Sequence, residues 1–145
     1  MAQTLHTRLA AIVMPALLVL GACAETVADA PTPTYFGTWQ PYSAAVSVSG
    51  AMTVTPDMLD FADGSTYNLL PVDPGAGLFR IVGRNVPGQG ALNCGSQQTA
   101  YVRFALTSPD QLVMSAYWDE GVPQVPDPAD AWEAPGACII AAYSR

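Results

Sequence analysis

The chain is predicted to be all-β: a small antiparallel barrel or sandwich of about seven to nine short strands. Three observations predict this. After residue 34, apolar side chains recur at every second position, the period of a strand with one buried face. Turn residues such as Gly50, Pro56-Asp57, Asp63-Gly64 and Pro109-Asp110 interrupt those runs at short intervals. No segment after residue 34 keeps helical spacing for about ten residues or more.

Residues 24–34 have no apolar period, and Pro31 and Pro33 stiffen their end, so they form a tether. A first short strand begins at Tyr35 and contains Gly37, Thr38 and Trp39. Val46 and Val48 alternate with Ser47 and Ser49, and beyond Gly50 Met52 and Val54 alternate with Thr53 and Thr55. Strand character is therefore expected on both sides of Gly50. Pro56-Asp57 turns the chain, after which Leu59 and Phe61 share one face and Asp60 takes the other. Asp63-Gly64 between two alternating runs is the strongest hairpin signal in the sequence, with its return strand at 66–70.

Residues 71–77 are expected to loop, and Phe79 and Ile81 flank Arg80 in the next strand. A loop rich in Gly, Asn and Pro at 83–95 delivers Cys94. Val102, Phe104 and Leu106 then alternate with Tyr101, Arg103 and Ala105. The turn Ser108-Pro109-Asp110-Gln111 leads into a strand at 112–118, a second hairpin. An acidic, Pro-rich loop at 119–136 contains Trp132, and a final strand at 137–143 carries Cys138.

Charge and composition exclude several functions. The chain holds 12 Asp and Glu against 5 cations, all arginine, for a net charge of −7. Every acid lies after residue 22, whereas Arg8 lies before it. Such a surface repels nucleic acid, so no nucleic-acid partner is expected. The sole histidine is His6. The remainder lacks the usual general base and the usual transition-metal ligand. A Ser-His-Asp triad, a Cys-His dyad and a His-ligated zinc are thereby excluded within one chain. The expectation is a non-enzymatic protein with no catalytic residue, metal or cofactor.

Residues 1–8 carry a single cation, Arg8, and an apolar run follows from Leu9 to Leu20, broken by Pro15. That run is shorter than the roughly 20 residues a spanning helix needs, and it has the pattern of a secretion signal that is removed. It ends in Leu20-Gly21-Ala22-Cys23, which resembles the lipobox of bacterial lipoproteins: an aliphatic residue, two small residues, then cysteine. The resemblance implies lipid on the Cys23 sulfur, cleavage before Cys23 and acylation of the new amino terminus. The membrane is then a partner through that lipid. Ala24, rather than Asp, after the cysteine implies the outer membrane, facing the periplasm. The chain divides into a signal peptide at 1–22, a lipidated cysteine and tether at 23–34, and one β-domain at 35–145. In an exported chain the two remaining cysteines, Cys94 and Cys138, most simply form a disulfide, with free thiols as the alternative.

Gly37-Thr38-Trp39 resembles the G-x-W signature of lipocalin-type barrels. That resemblance implies that Trp39 closes the barrel base with Arg145 packed across it; an ordinary core tryptophan is the alternative. Asp119, Glu120, Asp127, Asp130 and Glu133 gather carboxylates on the last long loop. Calcium and glycoside hydrolysis both use such groups. The spacing matches no calcium loop, and Pro123, Pro126 and Pro128 restrict a wrap, so a solvated acidic loop is the better reading. With Trp118 and Trp132, and with Tyr117 and Tyr143 nearby, these acids form a candidate binding surface. Arg80, Arg84 and Arg103 are expected to pair with neighbouring acids. The function expected is a binding or interaction module at the cell envelope. Alternatives are a lipocalin-like carrier of a small apolar ligand, an inhibitor of an envelope hydrolase acting through the 119–136 loop, and a structural envelope lipoprotein.

Overall fold

The structure, a computed structural model, describes residues 34–87, 90–118 and 121–145. Cys23, the signal peptide and nearly all of the tether lie outside the described residues, as do Asp119 and Glu120. The alternating runs form β1 (Gly37–Pro41), β2 (Met52–Val54), β3 (Met58–Phe61), β4 (Thr66–Asp73) and β5 (Leu78–Asn85). A small hairpin of β6 (Asn93–Cys94) and β7 (Gln97–Gln98) follows. Then come β8 (Tyr101–Ser108), β9 (Gln111–Tyr117) and β10 (Ile139–Ser144).

Eight of these strands close an antiparallel barrel in the order β1-β2-β3-β4-β5-β8-β9-β10 and back to β1. Of the two architectures expected, the barrel is the one formed. The seam is β1 on β10, with Gln40 opposite Ser144 and Pro41 opposite Tyr143. Closure leaves the sheet without the exposed edges that invite aggregation. Short turns set the register. In the Asp63-Gly64 hairpin the Asp63 carboxylate accepts from the Ser65 amide at 2.8 Å. The turn into β5 needs Gly77, which has φ +70° and passes so close to Phe104 that a Cβ would strike its carbonyl oxygen.

Inward side chains fill the barrel. Trp39, Met52, Leu59, Phe104, Leu112 and Met114 are almost wholly shielded from solvent and belong to one cluster. At one end Tyr35 joins them from the chain before β1, with its ring against Phe36, Phe79 and Phe104. At the other end Val46 and Leu92 enter the same cluster from loops. A filled interior is the usual state of a barrel this small.

Three expectations need correction. Residues 46–49 are not a strand: Ala44–Val46 is a 3-10 turn, and turn bonds run from the Ser49 amide to Val46 and from the Gly50 amide to Ser47. This segment crosses the barrel end, where no neighbouring strand can pair with it. Val46 plugs the core and Val48 is left exposed. Second, β4 continues through Pro71 to Asp73, and the final strand begins at Ile139, one residue beyond Cys138. Pro71 is tolerated because the β4–β5 register shifts there.

The third correction concerns Arg103. Residues 121–138 lie as a strap on the outer face of β8, β9 and β10. Ala131, on the 3-10 segment Pro128–Glu133, packs on Ala105 and Val113. Ala134 packs on Leu78, Tyr101 and Tyr117. Both faces of β8 and β9 are therefore buried, and alternation of exposure is lost. Arg103, on this covered face, is buried. Its Nη2 donates to the Pro126 carbonyl and its Nε to the Ala76 carbonyl at 3.4 Å. Among the described residues no carboxylate bonds it, so the expected acid pairing is replaced by two backbone carbonyls. Burial lowers its pKa, while Tyr117 and Asp127 act in the opposite direction.

Cys94 and Cys138 form a disulfide, 44 residues apart in sequence with Cα atoms 5.6 Å apart. It clasps β6, over the barrel end, to the exit of the strap. Removing it in a Cys94→Ala/Cys138→Ala variant should cost about 2–4 kcal/mol in urea unfolding. Equal midpoints for the variant and the oxidised protein would contradict the clasp.

Candidate binding groove

Trp39 sits at the barrel base because β1 turns it inward, and its Nε1 donates to the Tyr35 carbonyl at 2.9 Å. The Arg145 guanidinium lies over the indole, 4.0 Å from its centroid, in cation–π geometry. Its Nη2 also donates to the carbonyls of Thr34 and Phe36. Gly37 has φ 120° beside this contact, and a Cβ there would stand 3.8 Å from the arginine Nη2. Gly37, Trp39 and Arg145 are thus brought together as a plug that ties both ends of the domain to one indole.

The opposite end is polar beneath its loops. The Tyr67 hydroxyl accepts from the Leu92 amide at 3.4 Å. The Ser65 and Tyr143 hydroxyls are buried with no partner among the described residues. Burial, reinforced by the Asp63 charge, pushes the Tyr143 phenol far above its ordinary value of 10. The expected gathering of aromatic residues at the last loop is divided. Tyr143 is inside the barrel, Tyr117 is under the strap, and Trp118 and Trp132 are on the surface.

An opening lies where β5 and β8 part. They pair only from Leu78 to Arg80, opposite Tyr101 to Arg103. Beyond that, the Ile81 amide reaches the Ala100 carbonyl, while β5 stays with β4 as far as Asn85. The result is an open groove of about 910 Å³ lined by Arg80, Arg84, Gln97, Gln98, Tyr101 and Trp118. Arg84 donates from Nη2 to the Thr99 carbonyl at 2.9 Å, which holds its head across the groove. Trp118 is 46 % exposed.

No family model, no curated protein and no solved structure matches this chain.

The expected acid partners of Arg80 and Arg84 are absent among the described residues; both side chains are exposed and line the groove instead. Asp127, Asp130, Trp132 and Glu133 sit exposed along the strap and are not part of this lining. Among the described residues, no three His, Cys, Asp or Glu gather into a metal-holding group. Among the described residues of the expected surface, only Trp118 lines the groove; its other functional groups, Arg80, Arg84, Gln97 and Gln98, were assigned no binding role from sequence. One signal for them was available: two of the chain's five cations fall within five residues, at the end of a strand.

The burial pattern makes a direct prediction for fluorescence. Acrylamide should quench Trp118 and Trp132 readily and leave Trp39 almost untouched. A Trp118→Phe/Trp132→Phe variant that loses its emission to acrylamide as easily as the unaltered protein would contradict a sealed base.

Proposed function

We propose that the protein is a lipid-anchored, non-enzymatic binding module of the bacterial cell envelope, working through the groove beside Trp118. The anchor is Cys23, and Ala24 favours the outer membrane with the domain facing the periplasm. The observation that most supports the groove is its lining. An exposed indole, two guanidinium heads and two glutamine amides converge on one furrow. Trp and Arg concentrate binding energy at interfaces more than other side chains do. These groups bind and orient; none is a general base near neutral pH.

The alternatives fare less well on physical grounds. A carrier needs interior space, which Trp39, Tyr67, Phe79, Phe104 and Tyr143 occupy. An inhibitor acting through a protruding 119–136 loop needs that loop free, yet Ala131 and Ala134 are packed down. Any inhibitory contact would have to use the groove face.

A photo-crosslinking residue placed at Trp118 should yield one discrete adduct in the native envelope. The same residue at Gln40, exposed on β1 across the barrel, should yield none. No adduct at Trp118, or the same adduct at both positions, would remove the groove from the reading. The anchor is checked separately: Cys23→Ala should move the protein out of the membrane pellet, and pelleting that persists in high salt would place the anchor elsewhere.

A further inference from the structure

Resting on that reading, we infer that the groove takes an extended segment of a partner protein in which carboxylates alternate with apolar side chains. The fold itself accounts for the other arginines of the domain. Arg145 is stacked on Trp39 and bonded to two carbonyls. Arg103 is buried under the strap. Arg80 and Arg84 remain, both exposed and both in this one groove. Arg84 spends Nη2 on Thr99, which orients the fork and leaves donors toward the opening. Among the described residues no carboxylate neutralises either head. A guanidinium presents a planar fork that matches a carboxylate in two parallel bonds, which makes carboxylate the fitting anion.

Shape gives the occupant its form. Past Arg84, Gln97 and Gln98 the groove continues into a cleft of about 190 Å³ beside Asn93 and Ser96. Past Trp118 it meets another, of about 330 Å³, at the root of the strap by Val122 and Pro135. The groove thus shares side chains with two neighbouring clefts, an arrangement that suits a chain more than a compact molecule. The glutamine amides can both donate to and accept from a peptide backbone. Outside the groove lining, exposed Leu70 lies opposite Arg80 in the β4–β5 register, and Val82 is exposed on β5 between Arg80 and Arg84 in sequence. At the far end Trp118 and Val122 are exposed. Arg80 and Arg84 thus stand beside exposed apolar side chains, and an extended segment carrying both carboxylates and apolar residues can meet the two at once.

Net charge separates this occupant from other anions. A protein at −7 repels a uniform polyanion at long range. Within a Debye length of about 8 Å at physiological salt an anion in the groove meets the arginine pair, which no carboxylate among the described residues bonds. Isolated acids between apolar residues meet the arginines without that penalty. The exposed Trp118 indole in the groove and the exposed Leu70 and Val82 beside it favour protein over an acidic glycan.

The test uses the lipidated protein in nanodiscs and the acetylated, amidated peptide Glu-Leu-Glu-Ser-Glu-Leu, with a Gln-for-Glu twin and polygalacturonate as comparisons. The acidic peptide should bind saturably at one per protein, about tenfold tighter than its twin. Arg80→Gln should weaken it by about tenfold; among the described residues the Arg80 side chain makes no hydrogen bond or ion pair, so this variant should unfold where the unaltered protein does. Arg84→Gln should act in the same direction, and Gln40→Ala should change nothing. Equal binding of the twin, no binding of either peptide, or tighter binding of polygalacturonate would each overturn the inference. A crosslink at Trp118 that persists alongside such a result would keep the groove as a binding surface and reject only the acidic occupant; loss of the crosslink would reject both.

Discussion

The pairing of β1 with β10 is the constraint on which the rest depends. Once Gln40 and Pro41 lie against Ser144 and Tyr143, the sheet has no free edge and its inward side chains have one enclosed space to fill. The Trp39–Arg145 contact fixes that seam from below. One guanidinium lies on the indole and bonds two carbonyls before β1, so the chain's last residue holds the start of the domain. Large aromatic residues then occupy the interior, and any recognition has to take place on the outside of the barrel.

The outside is not uniform. The strap covers β8, β9 and β10, and turns their outer faces into a second, smaller core around Ala131 and Ala134. Arg103 sits between wall and strap with its charge answered by carbonyl oxygens, which are weaker partners than a carboxylate but need no second buried charge. The disulfide draws the β6–β7 hairpin and the strap exit together. The groove opens at the border of this covered region, where the pairing of β5 with β8 ends. The proposed binding site at this border is walled by β5 and β8 of the barrel, with Trp118 directly after β9.

Much of this was legible in the sequence because strands announce themselves by period. The Asp63-Gly64 hairpin, the alternation of Leu59 and Phe61, and the runs around Phe79 and Phe104 needed only local information. Gly37, Trp39 and Arg145 were drawn together by three residues' resemblance to a signature. What stayed hidden depended on layers. Tyr101, Arg103 and Ala105 carry the pattern of a solvent face, and nothing within β8 shows that a strap from 20 or so residues later will cover it. Val46 and Val48 alternate like a strand, but a strand needs a neighbour, and this segment has none. Arg80 and Arg84 were assigned to acids because the chain has so many; only the parting of β5 from β8 shows which acids are out of reach.

The measurement that bears most directly on a closed, filled barrel is titration with a neutral apolar fluorophore, N-phenyl-1-naphthylamine, followed by its own emission and by quenching of Trp39 in the Trp118→Phe/Trp132→Phe variant. A filled interior predicts no saturable binding and no loss of Trp39 emission. Saturable binding of one probe per protein with Trp39 quenched would contradict it, and would return the ligand to the inside of the barrel.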